Sequence, residues 1–132
     1  MPSITTSMQG HLAVITIDSD RGQNTLDAAL RDGFATACAA AADDEEVRVV
    51  LITGVSGVFA QGLEPMPTAL EPAGAASVVA SLNKPTVAWI DGVCVDMGLE
   101  LALACDVRFA SEASTFAMQA TMAGMLPWDG GS

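Results

Sequence analysis

Carboxylates set close to glycines are the chemistry-bearing feature of this 132-residue chain. Glu100 follows Asp91-Gly92-Val93-Cys94-Val95-Asp96-Met97-Gly98-Leu99, where a strand end, a turn and a helix start succeed one another. Free N–H groups at a helix start can hold a developing anion. Glu100 sits one turn into that helix, among Leu99, Leu101, Ala102 and Leu103. Two readings are open for it. It faces solvent, which the pattern alone favours, or it is partly buried with a raised pKa suited to proton transfer. Asp96 is a natural N-cap for the same helix, accepting from the amide two or three residues on. A second candidate place is the loop from Gly57 to Glu64. Loops at the C-terminal ends of parallel strands hold ligands in α/β proteins, but a plain connection reads equally well. A third is Ala120 to Gly131, with Trp128 and Asp129 between Pro127 and Gly130-Gly131; an Asp in such a turn is ordinarily structural.

Other chemistries lack their residues. The single histidine, His11, cannot form a triad or a metal cluster by itself. The three cysteines, Cys38, Cys94 and Cys105, are widely spaced and form neither a disulfide framework nor a CxxC pair, so reduced thiols in the cytoplasm are expected. The run Asp43-Asp44-Glu45-Glu46 opposes the dipole of a helix ending there and reads as a solvated connector. A net charge of −11, with 5 Lys+Arg against 16 Asp+Glu, argues against nucleic acid as a partner. The apolar stretch from Pro85 to Val107 is interrupted by four acids, so no membrane span is expected; the N-terminus has neither the charge nor the apolar core of a secretory signal.

The elements that must position these residues follow from periodicity. Ser3–Met8 and His11–Asp18 read as strands of a hairpin around Gly10. Leu26, Leu30, Phe34, Ala37 and Ala41 predict a helix from about Leu26 to Ala42, capped by Asn24 or Thr25. Val47–Thr53 is nearly continuous β-branched sequence, as in a parallel strand covered on both faces. Gly54–Gly62 reads as a loop, and Pro65–Ala76 as irregular with a short helix at its end. Pro85–Ile90 and Val107–Ala110 read as strands, Met97–Cys105 as a helix, and the tail after Pro127 as loop. This order implies an α/β fold in one domain spanning residues 1–132.

Several of these segments together resemble a known family. They are Val47–Gly54, Phe59-Ala60-Gln61-Gly62, Lys84–Gly92, Gly98–Ala110, Ser111–Phe116 and Pro127–Ser132, in that order and over nearly the whole chain. They resemble the enoyl-CoA hydratase/isomerase (crotonase) superfamily. The resemblance implies a spiral of strand-strand-helix units, here without the family's C-terminal helical part. It implies an acyl-CoA thioester as ligand, no cofactor beyond coenzyme A within that substrate, and two backbone amides that hold a thioester enolate. Those amides fall on Leu63 and Met97, with Ala60, Gly62 and Gly98 around the substrate. Glu100 falls on the first catalytic glutamate of the hydratases.

The departures from the family are specific. The second hydratase glutamate falls on Ala120, and the glycine run at the oxyanion turn is Val95-Asp96-Met97-Gly98. Asp129 is the candidate second carboxylate, since related enzymes use an aspartate near this turn. The segment between Leu63 and Lys84 is shorter than is typical. Without C-terminal helices, a homo-oligomer or a complementing chain is expected. The expected function is enolate chemistry with Glu100 moving the proton; the alternatives are a non-catalytic acyl-CoA-binding or oligomerisation domain, and an inactive fragment of a longer enzyme.

Overall fold

The computed structural model describes residues 3–19, 22–55, 57–62 and 74–129. Strands β1 (Ser3–Gln9) and β2 (Leu12–Asp18) form the expected antiparallel hairpin, with Ser7 opposite Val14. Helix α1 (Ala28–Asp43) begins later than periodicity suggested. Its cap is Asp27, whose carboxylate accepts the Leu30 N–H at 2.9 Å. Asn24 and Thr25 are used elsewhere. Asn24 is buried, and its side-chain amide donates to the Val58 carbonyl at 2.7 Å; Thr25 bridges to Gln61. Both therefore tie the entry of α1 to the next turn of the chain. At the other end, the acidic run is solvent-exposed, and the Lys84 ammonium donates to the carbonyls of Ala41 and Asp44 at 2.8 and 2.6 Å. A cation thus answers the negative end of the helix.

After α1 the chain coils in a repeating order: β3 (Val49–Gly54), β4 (Val58–Ala60), α2 (Ala75–Ala80); then β5 (Thr86–Ile90), β6 (Val93–Val95), α3 (Met97–Ala104); then β7 (Val107–Ala110), β8 (Thr115–Ala117) and a 3-10 turn over Ala120–Ala123. The first strand of each turn joins one sheet, in the order β1-β2-β3-β5-β7, and the second joins another, in the order β4-β6-β8. All pairings after the hairpin are parallel. Strands β4 and β6 lie where the sequence read as loop and turn. At three residues each they are too short for a periodicity to show.

The core lies inside the coil. Ala13, Ile15 and Ile17 of β2, Val50 and Ile52 of β3, and Ala88 and Ile90 of β5 are buried, together with Phe34 and Cys38 of α1, Phe59 and Leu101. Coverage of β3 on both faces is not observed: Val49, Leu51 and Thr53 are only half-buried. They belong to the outward face of the five-stranded sheet. Register puts Ser7, Val14, Leu51, Val87 and Val107 in one row across all five strands. Thr5, Thr16, Thr53, Trp89 and Phe109 form the next row, in which the Trp89 and Phe109 rings lie 5.8 Å apart. Among the described residues, no helix is long and apolar enough to cross a membrane.

Candidate functional site

Successive turns of the coil bring three sequence regions together: Gly62 after β4, Asp96–Glu100 at the start of α3, and Ala120–Asp129. The close seat of α3 on β4 depends on Gly98, where a Cβ would lie 1.8 Å from the Ala60 carbonyl oxygen. Ala60 and Gly98 are therefore buried against each other. Of the three expected substrate-contacting residues, only Gly62 lines the recess that holds Glu100.

That recess is shallow and half open, with a cavity of only about 10 Å³, room for about one water. Met97, Met118, Ala120, Leu126 and Trp128 form its apolar part, with Glu100 and Asp96 as its acids. Glu100 is 3% exposed, so the solvent-facing reading that the pattern favoured is corrected. The reason is geometric: α3 is surrounded by β4, β6 and α2, and no solvent face is left at this position. In the first turn of α3 its charge also meets the positive end of the helix dipole. Trp128 is backed by Arg31, whose guanidinium carbon lies 5.8 Å from the ring centroid and whose Nη1 donates to the Leu26 carbonyl at 2.8 Å. No motif marks Arg31 in the sequence. Its signal was a charged residue on the face of α1 that carries Phe34 and Cys38, all three of them buried.

Asp96 stands at the N-cap position of α3 without capping it. Its backbone has φ +52° and ψ −117°, a region glycine favours. Its side chain turns away from the helix, and its Oδ1 accepts the Gln119 N–H at 2.6 Å. The expected bond to an α3 amide is thus replaced by a tie to the loop after β8. The Met97 N–H donates to the Gly62 carbonyl at 3.0 Å, so this first helical amide already has an acceptor. The other expected donor, Leu63, lies outside the described residues.

Asp129 is 1% exposed and does meet Glu100, but through its backbone: its N–H donates to Glu100 Oε1 at 3.4 Å. Its carboxylate is directed at the start of α2. There it accepts from the Ala76 N–H at 2.8 Å, the Ser77 N–H at 3.0 Å and the Ser77 hydroxyl. The chain comes so close that a Cβ on Gly74 would lie 2.2 Å from the Asp129 carboxyl carbon. Three donors at a helix N-terminus give this carboxylate the work of a cap. Asp129, Ser77 and Glu100 also border a second, open recess of about 240 Å³ beside α2. Ala120 is buried and brings no titratable group.

The three thiols are free and buried. Burial pushes Cys38 and Cys94 up to about 12 and Cys105 to about 11. His11 serves a turn, with Nδ1 2.8 Å from the Glu46 carbonyl. Among the described residues, no group of three or more His, Cys, Asp or Glu side chains is placed to hold a metal ion.

Residues 7–132 match the family profile described as enoyl-CoA hydratase/isomerase. The chain belongs to the enoyl-CoA hydratase/isomerase family. It is 31% identical over 133 residues to the mitochondrial methylglutaconyl-CoA hydratase of Rattus norvegicus, covering 92% of this chain and 42% of that protein. It is 29% identical over 141 residues to the 2,3-dehydroadipyl-CoA hydratase of Escherichia coli K12, covering 100% of this chain and 55% of the relative. A solved enoyl-CoA hydratase of Bacillus anthracis superposes with a TM-score of 0.84 at 25% identity, over 98% of this chain and 55% of that one. The chain thus spans about half the length of these enoyl-CoA hydratase/isomerase relatives. The family's strand-strand-helix spiral is the coil described above.

Proposed function

We propose that this chain binds an acyl-CoA thioester at the Met97–Glu100 recess and that Glu100 moves a proton on it. The observation that carries this reading is the burial of Glu100 in an apolar recess one turn into α3. Ala120 stands in place of a second acid, and the carboxylates of Asp129 and Asp96 accept from backbone N–H groups of α2 and Gln119, so among the described residues Glu100 is the carboxylate assigned the chemistry. A single acid–base suits isomerisation better than hydration, which needs one group to activate water and another to protonate carbon.

In the proposed step the Glu100 carboxylate removes a proton from the carbon between the thioester carbonyl and a β,γ double bond. The electron pair moves into the carbonyl as a dienolate. Glu100, now protonated, returns the proton at the γ-carbon, which leaves the α,β-unsaturated thioester. The Met97 amide is the donor for the enolate oxygen, in exchange for its bond to Gly62. The test is deuterium exchange into acyl-CoA in heavy water followed by NMR, together with calorimetric titration with acetoacetyl-CoA. Binding with Glu100-dependent exchange supports the reading; binding with no exchange refutes the catalytic part.

One alternative has its own support. A non-catalytic acyl-CoA-binding domain is favoured by the satisfied Met97 amide, which leaves this donor engaged with Gly62 rather than open to a thioester oxygen.

A further inference from the structure

We infer that the acyl group taken up beside Glu100 is uncharged, and that a thioester whose acyl group ends in a carboxylate is rejected. This specificity rests on the acyl-CoA reading above. Glu100 is a shared wall: it lines the shallow recess under Trp128 and also the open recess of about 240 Å³ beside α2. The first has room for about one water. The far end of an acyl group reacting at Glu100 therefore lies in the second. At roughly 30 Å³ for each water-sized group, that recess takes a short acyl chain.

The lining decides the charge. Its apolar part is Ala76, Ala80, Leu103 and Ala104, and its polar side chains are Ser77, Glu100 and Asp129. Two of these are carboxylates, and the Ser77 hydroxyl already donates its hydrogen to Asp129 Oδ1. The Ala76 and Ser77 amides donate to the same carboxylate. Cations are held elsewhere. Among the described residues, no Lys or Arg borders either recess. Arg108 donates to the carbonyls of Ala102 and Cys105 at the end of α3, and Lys84 to those of Ala41 and Asp44. The sequence of residues 63–73 adds Glu64 and Glu71 and no basic side chain. A carboxylate entering this recess would give up water and meet like charge, with no cation in compensation. An uncharged chain end meets alanine and leucine instead. Selection thus comes from repulsion of the wrong ligand as much as from fit to the right one.

Pentanoyl-CoA and glutaryl-CoA have acyl chains of equal carbon count and differ at the far end, a methyl against a carboxylate. Their coenzyme A portions are identical, so its phosphates cancel in the comparison. Calorimetric titration should find pentanoyl-CoA bound at least about tenfold more tightly. Leu103 is 53% exposed at the recess. Leu103→Arg supplies the missing cation and should narrow the ratio at least about threefold, by tightening glutaryl-CoA. Met122→Arg adds the same charge at an exposed position outside both recesses and should leave the ratio unchanged. Circular dichroism verifies the fold of each variant. If Leu103→Arg does not fold, Ala80→Lys, at an exposed position of α2, takes its place with the same expectation. Equal affinity for the two thioesters overturns the specificity and leaves the acyl-CoA reading standing. Failure to bind either one refutes that reading and the specificity with it. A ratio that Leu103→Arg leaves unchanged, or that Met122→Arg narrows as much, also overturns the specificity, because selection would then not be made in this recess.

Discussion

The Asp129 backbone N–H points at Glu100 Oε1 from 3.4 Å, while the Asp129 carboxylate is turned to the first amides of α2. One residue thereby links the candidate proton carrier to a helix from the preceding turn of the coil. The two acids are neighbours in space with separate work.

Replacing Glu100 by Gln preserves shape and removes the base. Turnover or α-proton exchange on an acyl-CoA should fall by about 10²-fold or more, with acyl-CoA affinity little changed. Calorimetry and exchange rates on the same preparation separate the two. Full exchange in the variant would leave binding as the function.

Asp129→Asn should act on stability before activity. The amide retains one acceptor oxygen, which at the Oδ1 position keeps both Ser77 donors, but it loses the charge that meets the α2 N-terminus and the bond from the Ala76 N–H. A loss of about 1–3 kcal/mol in urea unfolding is expected. An unchanged stability with a Glu100-like loss of rate would make Asp129 a catalytic partner instead.

Asp96 distinguishes strain from bonding. At φ +52° a side chain is disfavoured, and the carboxylate accepts one bond, from Gln119. Asp96→Ala loses the bond and keeps the strain, whereas Asp96→Gly loses the bond and relieves it. The glycine variant should be the more stable of the two by about 1 kcal/mol. Equal stabilities would show that the turn relaxes around alanine.

The buried thiols give a pH signature. Their folded pKa values lie at about 11 to 12 against an ordinary 9.0. The folded state therefore holds protons that the unfolded chain gives up. This stability is fully present below pH 9.0 and is lost as pH rises through the folded values of about 11 to 12. At pH 8 an aromatic disulfide reagent should find no rapidly reacting thiol in the folded chain and all three in denaturant. Rapid labelling of Cys94 in the folded chain would contradict its burial.

The long elements were legible because they carry a period: the hairpin, α1, the β3 and β5 strands and α3 all appear near their expected limits. The strands β4 and β6 were not, being shorter than the pattern that would reveal them. The environment of Glu100 could not be read from its apolar neighbours, since Leu99, Leu101 and Leu103 suit a buried helix and an amphipathic one alike. Its burial depends on which elements surround α3, and that is a property of the coil. The cap of α1 was missed for a related reason: Asn24 was taken up by a carbonyl 34 residues away. The family resemblance supplied the order of the site segments, but not the direction in which Asp96 and Asp129 turn.

The coil has a mechanical consequence. Each turn rests mainly on its neighbours, so resistance to local opening is graded along the chain as in a stacked array. Middle turns have strands on both sides, while β7 is exposed at all four residues and, among the described residues, borders a strand on one side only. Backbone amides of β3 and β5 should then be the slowest to exchange with solvent, and those of β8 and the 3-10 turn among the fastest. Met118, Ala120, Leu126 and Trp128, which close the recess over Glu100, come from the stretch after β8. The floor of the recess is thus α3, packed against α2, β4 and β6, while its cover comes from a separate turn of the coil, so the two are expected to exchange their amides at different rates.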